Sequence, residues 1–192
     1  MNSEDVLAIF SKAGAILEGH FILTSGRRSA TYMQKAKVFM HADLTEQLCQ
    51  GLAAKIKAEI AQPIDYLVGP AIGGLIPAYE TSRHMHLPAI WVERVNGQFC
   101  LKRFDIKPGA KIVIIEDIVT TGLSIKETIA AMLAAGAKVL AAACIIDRSA
   151  GAVDVGVPLI SLCSYNVPSY SADELPAELA AIPPVKPGSR YN

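Results

Sequence analysis

The chain has 192 residues, of which 52% are hydrophobic and 6% aromatic, and its formal net charge is zero. This length suits one domain with a modest appendage, and a neutral surface argues against a protein that coats nucleic acid. No apolar run approaches the roughly 20 residues of a membrane-spanning helix and the N-terminus lacks a signal-peptide pattern, so we expect a cytoplasmic protein without a membrane partner.

The N-terminal third of the chain predicts two helices and a ribbon. Residues 3–17 have the apolar spacing of an amphipathic helix, with Ser3 at its start. Residues 19–34 alternate apolar and polar side chains around a Ser-Gly pair, which predicts a short antiparallel ribbon. Leucine and isoleucine recur every four residues over 44–60, so the next element is a helix, and Pro63 ends it.

The middle of the chain predicts two strands and a hairpin. Residues 65–69 form a short strand, followed by a Gly-Pro-Ala-Ile-Gly-Gly loop and a helix to about His86. Residues 88–92 form the next strand. Asn96-Gly97 lies between two short segments that can pair, which predicts a hairpin. The hairpin stretch carries three basic side chains: Arg94, Lys102 and Arg103.

The last part of the chain contains the strongest signals. Residues 112–115 read as a buried strand and residues 125–135 as a helix. Further buried strands are predicted at 139–146 and 157–163, and a short helix at 172–181 in a Pro-rich tail. Strands that alternate with helices imply an α/β fold, a doubly wound parallel sheet covered on both faces.

The predicted elements form a single domain over residues 1–192. Its core extends from about residue 40 to residue 165. Residues 1–39 and 166–192 are expected to form a small hood over the carboxyl edge of the sheet, where open α/β sheets bind ligands.

Cysteine and histidine spacing predicts no metal site. The two histidines of a His-x-His pair, His84 and His86, point in different directions on a helix. The four cysteines lack C-x-x-C spacing, and we expect them to be reduced packing residues: Cys49, Cys100, Cys144 and Cys163.

Two adjacent carboxylates, Glu116 and Asp117, follow the strand at 112–115, and a hydroxyl-rich turn comes next. Carboxylates accept hydrogen bonds from the 2′ and 3′ hydroxyls of a ribose. Gly122 lets the backbone approach an anion, and the following helix offers free N–H groups to a phosphate. The sequence therefore predicts a site for a phosphorylated ribose. In the alternative interpretation, Ser124 only caps the helix and Glu127 closes a capping box.

The chain lacks both the P-loop and the dinucleotide-binding glycine patterns. Glu-Asp-Ile-Val-Thr-Thr-Gly-Leu-Ser resembles instead the 5-phosphoribosyl 1-pyrophosphate (PRPP) motif of type I phosphoribosyltransferases. Leu123 departs from it, because many members carry a second glycine there. The resemblance implies that nine consecutive residues bind PRPP: Glu116, Asp117, Ile118, Val119, Thr120, Thr121, Gly122, Leu123 and Ser124.

Four further segments resemble orotate phosphoribosyltransferases: residues 19–34, the loop at 69–74, the basic stretch at 93–103 and the pair Asp147-Arg148. The resemblance implies that orotate and PRPP give orotidine 5′-phosphate and pyrophosphate with Mg²⁺, a step of pyrimidine nucleotide synthesis. Two alternatives stay open: a PRPP-dependent transferase for another base, and a PRPP-sensing regulatory protein.

The same resemblance implies individual roles. Thr120 and Arg148 meet orotate, and Tyr32 stacks beneath the pyrimidine or belongs to the core. Arg94, with Lys102 or Arg103, meets pyrophosphate. The alternatives are a surface ion pair of Arg148 with its acidic neighbour and a solvated basic hairpin. Mg²⁺ is expected to bind mainly through PRPP without a protein side chain, and the protein is expected to be a homodimer.

Three departures from the family pattern reduce the positive charge of the site. Ile72-Gly73 stands where other members place Tyr-Lys, and Thr24 stands where a lysine is common. The basic stretch is also short and contains no histidine. The neutralisation of the charge on PRPP is therefore expected to depend on fewer side chains.

Overall fold

A computed structural model describes residues 1–23 and 25–187. Thr24, one of the predicted departures, lies outside the described residues, as do residues 188–192 of the predicted hood. The described residues form eight strands: β1 (Ile16–Ile22), β2 (Arg28–Met33), β3 (Tyr66–Pro70), β4 (Ala89–Val95), β5 (Gln98–Cys100), β6 (Lys111–Val119), β7 (Lys138–Asp147) and β8 (Leu159–Ser164). They also form six helices: α1 (Ser3–Lys12), α2 (Ala36–Phe39), α3 (Ala42–Glu59), α4 (Leu75–Met85), α5 (Leu123–Ala134) and α6 (Ala177–Ala180).

The central sheet has the strand order β5-β4-β3-β6-β7-β8. All neighbours are parallel except the hairpin partners β4 and β5. The chain crosses outward in one direction from β3 and in the other from β6. The boundary between these two strands is therefore the switch point at whose carboxyl edge such sheets bind ligands.

Helices cover both faces of the sheet, which confirms the predicted doubly wound fold. On β6, Val113 and Ile115 pack in the hydrophobic cluster that includes residues of α1, α3 and α4. Ile112 and Ile114 pack on the other face, with residues of α5. Because both faces of the strand are buried, its apolar residues form a continuous run rather than an alternating pattern.

The predicted ribbon is present as the antiparallel pair β1–β2, and the C-terminal segment pairs with it. Val185 donates its N–H to His20 O and accepts from Ile22 N, both at 2.8 Å. Arg28 and Tyr170 exchange a second pair of backbone hydrogen bonds, each 2.8 Å long. The two ends of the chain thus form one layer.

Several predicted boundaries were wrong. The first helix ends at Lys12, because Ala13 is its C-cap and Gly14 has a φ of 61°. It begins at Ser3, as predicted, and Asn2 caps it through a capping box with Asp5. The short helix α2 was not predicted. The tail helix is limited to Ala177–Ala180.

Two corrections concern the motif. Strand β6 continues to Val119, so the acid pair lies within the strand instead of after it. Helix α5 has Gly122 as its N-cap, so the alternative interpretation, in which Ser124 caps the helix and Glu127 closes a capping box, is wrong. No helix within residues 1–23 and 25–187 is long and apolar enough to cross a membrane.

Candidate active site

The two adjacent carboxylates of β6 are buried at the switch point. Glu116 is 7% exposed and Asp117 is 1% exposed. The Asp117 N–H donates to Glu116 Oε1 at 3.1 Å, and Ile118 N–H donates to Asp117 Oδ1. The other oxygen of Asp117 forms an ion pair with the ammonium group of Lys35. A buried carboxylate requires such compensation, because removal from water disfavours its charge.

Burial, together with the neighbouring charge of Asp117, raises the pKa of Glu116 to about 8. Glu116 is therefore largely protonated at neutral pH in the free protein. The two acids can play different parts, because Asp117 is paired with the ammonium group of Lys35 whereas Glu116 first loses a proton.

The phosphate loop follows β6 directly and leads into α5. Thr120 and Thr121 are exposed at its turn. Gly122 has a φ of 71°, and a Cβ there would lie 2.6 Å from Val153 Cγ1 and 2.7 Å from Val155 Cγ1. Gly122, the N-cap of α5, has no side chain to cap the helix. Thr121 Oγ1 accepts from Leu123 N at 3.5 Å, and the following N–H groups of the first turn can meet an anion.

Two adjoining cavities lie at this edge of the sheet. The first, of about 220 Å³, is lined by the loop from Ile118 to Ile125, by Glu116 and by Arg94. The second measures about 120 Å³ and has nine lining residues: Lys35, Pro70, Ala71, Gly73, Phe99, Glu116, Asp117, Ile118 and Ser124. Because Glu116, Ile118 and Ser124 line both, one ligand can extend across the acid pair into each cavity.

Arg148 lies near Tyr32, so the structure brings together two of the predicted orotate residues. Its guanidinium interacts electrostatically with the phenol groups of Tyr165 and Tyr32, and its burial lowers its pKa. The Arg148 Nε atom is buried and has no hydrogen-bond partner among the described residues. The ring of Tyr32 lies 5.7 Å from that of Phe21, in the ribbon.

The expected alternative for Arg148, an ion pair with Asp147, does not form. Asp147 instead accepts hydrogen bonds from Ser149 N at 2.8 Å, Ser149 Oγ at 2.6 Å and Gly151 N at 2.9 Å. These bonds close the turn after β7 and leave the guanidinium free to meet an anion.

The basic hairpin contributes one basic side chain to the cavities. Arg94 forms an ion pair with Glu127 and lies 4.1 Å above the ring of Phe99. Arg103 pairs with Glu93 at 3.1 Å, and Lys102 is exposed. Arg94 thus lines the first cavity, whereas neither Lys102 nor Arg103 lines either of the two.

The other polar clusters have structural roles. The Arg27 side chain donates to Ser169 Oγ at 2.8 Å, which ties the ribbon to the tail. Glu46, Glu80 and His84 lie close enough together to hold a metal ion. However, Arg83 bonds both carboxylates, at 2.7 and 2.6 Å, and supplies the positive charge there.

Sequence reasoning missed three residues of the site. Lys35 and Tyr165 belong to no recognisable motif, and Phe99 is an apolar residue within the basic stretch at 93–103. Only the tertiary fold brings them to the acid pair or to Arg148.

Comparisons with known proteins agree with this geometry. A model of the phosphoribosyl transferase domain matches residues 39–162. The chain is 72% identical over 190 residues to the orotate phosphoribosyltransferase of Bartonella tribocorum, covering 99% of both chains. The orotate phosphoribosyltransferase structure from Aeropyrum pernix has a TM-score of 0.69 at 24% identity, covering 83% of this chain and 93% of that one. An adenine phosphoribosyl transferase structure from Trypanosoma brucei has a TM-score of 0.59 at 13% identity, with 81% and 79% covered.

Proposed function

The chain belongs to the orotate phosphoribosyltransferase family of the phosphoribosyl transferases, and from that premise we propose that it transfers the 5-phosphoribosyl group of PRPP to orotate. The products are orotidine 5′-phosphate and pyrophosphate, in a step of pyrimidine nucleotide synthesis. The observation that carries the proposal is the pair of cavities that meet at Glu116, with the start of α5 in one and Asp117 in the other.

In this assignment the ribose lies across the acid pair. Its 5′-phosphate binds the loop from Thr120 to Ser124, and its hydroxyls donate to Glu116 and Asp117. The orotate base lies towards Arg148 and Tyr32, within reach of Thr120. Positive charge develops on the sugar as pyrophosphate leaves, so the protein acts by positioning and by neutralising the departing anion.

The residues of the site fit a magnesium ion held mainly by the substrate. In this assignment the ribose hydroxyls occupy both Glu116 and Asp117, which line the same cavity, so neither carboxylate is needed as a direct ligand. Mg²⁺ retains water and favours phosphate and hydroxyl oxygens. Bound with PRPP, it supplies charge neutralisation for the pyrophosphate group.

Arg148 favours orotate over other bases. The solved structures that share this fold include a transferase for adenine, so the fold alone does not select the base. A half-buried guanidinium whose buried Nε atom has no partner among the described residues suits the carboxylate of orotate, which purines lack. A PRPP-sensing regulator is disfavoured by the zero net charge.

A panel of bases tests the proposed reaction. Purified protein with Mg²⁺ and PRPP should release pyrophosphate with orotate, and far less with uracil, adenine or hypoxanthine. Uracil is the matched control, because it has the pyrimidine ring of orotate without the carboxylate. Equal turnover of a purine would reject the substrate assignment, and no turnover of any base would reject the transferase itself.

The raised pKa of Glu116 predicts that PRPP affinity depends on pH. Binding through the ionised carboxylate requires loss of a proton below about pH 8. The affinity of the wild type relative to Glu116→Gln should therefore rise by up to about tenfold per pH unit below this value and level off above it. Calorimetry from pH 6 to 9 measures the ratio, in which the titration of the substrate's own phosphates cancels. Parallel pH profiles for the two proteins would exclude this role.

We further propose that the protein is a cytoplasmic homodimer. Each chain forms one domain, and its residues 1–39 and 166–192 form the hood. All four cysteines are free thiols, as is usual in a reducing compartment. A groove of about 460 Å³ beside α4 exposes Met40, Ile76 and Tyr79, an apolar surface suited to a second copy. Sedimentation equilibrium checks the dimer, and a monomer at micromolar concentration would reject it.

A further inference from the structure

Lys35 joins the N-terminal layer to the acid pair of the sheet. It follows the ribbon directly and is the N-cap of α2, where its carbonyl accepts from Val38 N at 2.9 Å. Its ammonium group pairs with the carboxylate of Asp117, while the side chain remains 42% exposed. The backbone of Lys35 is thus held by α2, and its charged end borders the open site.

Gly73 leaves the space that this ion pair occupies. A Cβ at residue 73 would lie 2.5 Å from Asp117 Oδ2 and 3.0 Å from Lys35 Nζ. The first distance is below any real contact, so a larger residue would displace the carboxylate or the ammonium group. The loop after β3 and the start of α2 are therefore complementary around this pair.

Without Lys35, the charged residues that line the smaller cavity would all be acids, which repel an anion. Its described lining residues include two acids, Glu116 and Asp117, and Lys35 is the only cationic one. Arg94 lines the other cavity, where Glu127 already holds it. A ribose with its 5′-phosphate on the loop before α5 and its hydroxyls on the acid pair directs the group at C1 away from that loop, towards the second cavity.

We propose that Lys35 is a substrate-binding residue that pairs with Asp117 in the free protein and binds the pyrophosphate group of PRPP in the complex. The exchange leaves neither group without a partner, because the ribose hydroxyls donate hydrogen bonds to Asp117 while the pyrophosphate attracts the ammonium group. The partly exposed side chain has the freedom for this movement. The proposal rests on the proposed function and adds a residue to it.

Two ligands distinguish this role from a merely structural one. PRPP and ribose 5-phosphate share the phosphate and the sugar hydroxyls, and only PRPP carries pyrophosphate. In Lys35→Met, PRPP affinity measured by calorimetry with Mg²⁺ should fall roughly 10- to 100-fold, the effect of losing a charge-assisted hydrogen bond. The affinity for ribose 5-phosphate should change by much less. Lys35→Arg should recover most of the PRPP affinity.

Lys37 provides a matched control, because Lys37→Met removes the same charge from an exposed position two residues away. It should bind both ligands like the wild type. Equal losses of both ligands in Lys35→Met would show that Lys35 only supports Asp117 and would overturn the proposal. A PRPP affinity of Lys35→Met equal to that of Lys37→Met would also overturn the proposal. A wild type that neither binds PRPP nor consumes orotate would instead reject the proposed function.

A second measurement needs no substitution and remains decisive if Lys35→Met does not fold. Acetylation of the wild-type lysines, followed by mass spectrometry, reports the accessibility of each amine. PRPP should protect Lys35 more strongly than ribose 5-phosphate does and should leave Lys37 unaffected. Equal protection of Lys35 by the two ligands would overturn the proposal.

Discussion

Replacing Arg148 with alanine is expected to weaken orotate binding roughly 100-fold while PRPP binding stays close to that of the wild type. The half-buried guanidinium interacts with Tyr165 and Tyr32, and its buried Nε atom has no partner among the described residues. Without it, the carboxylate of orotate would enter this region uncompensated, which costs about 2–5 kcal/mol when one partner of a buried charge pair is removed. The KM for orotate at saturating PRPP measures the effect.

Arg148→Lys is the matched control because it retains the charge and loses the planar pair of donors. It should recover part of the orotate affinity. A loss of PRPP affinity larger than the loss of orotate affinity would show that Arg148 belongs to the sugar-phosphate side of the site.

The strand, loop and helix of the site motif were predictable because their signals lie in consecutive residues of the sequence. The apolar run on β6 and the helix after it are consecutive in the chain, and their periodicities differ, so the strand, the loop and the helix were all predictable. The extent of β6 was not, because acidic residues are poor strand formers in isolation and the neighbouring strand β7 holds Glu116 and Ile118 in register.

Lys35, the cation of the second cavity, was unpredictable for a different reason. The family pattern has a lysine where this chain has Gly73, and it places the other cations for pyrophosphate in the basic hairpin. Lys35 lies in a segment without a motif, and its contact with Asp117 depends on how the ribbon packs against the sheet. Long-range contacts of this kind leave no local pattern. The interaction of Arg148 with Tyr165 was unpredictable for the same reason, because the turn after β7 and the strand β8 separate the two residues in the chain.

Replacing Gly122 with alanine is expected to reduce kcat/KM for PRPP roughly 100-fold, the scale of a misplaced catalytic geometry. The residue has a φ of 71°, and the new Cβ would lie 2.6 Å from Val153 and 2.7 Å from Val155. Backbone strain of about 1–2 kcal/mol and overpacking of about 1–3 kcal/mol together should lower the free energy of unfolding by roughly 2–5 kcal/mol. Relief of the overlap moves the start of α5 away from the phosphate.

Gly109→Ala separates these two contributions. Gly109 also has a positive φ, 77°, but no atom lies within 4 Å of a Cβ built there, and it precedes the opposite end of β6. This variant should lose only the strain energy and should keep the kcat/KM of the wild type. If Gly122→Ala were destabilised by no more than Gly109→Ala and remained fully active, Val153 and Val155 would not confine the loop. Phosphate binding would then not depend on a start of α5 that these two valines hold in place, because the loop could shift by the width of a methyl group and still present its N–H groups to the anion.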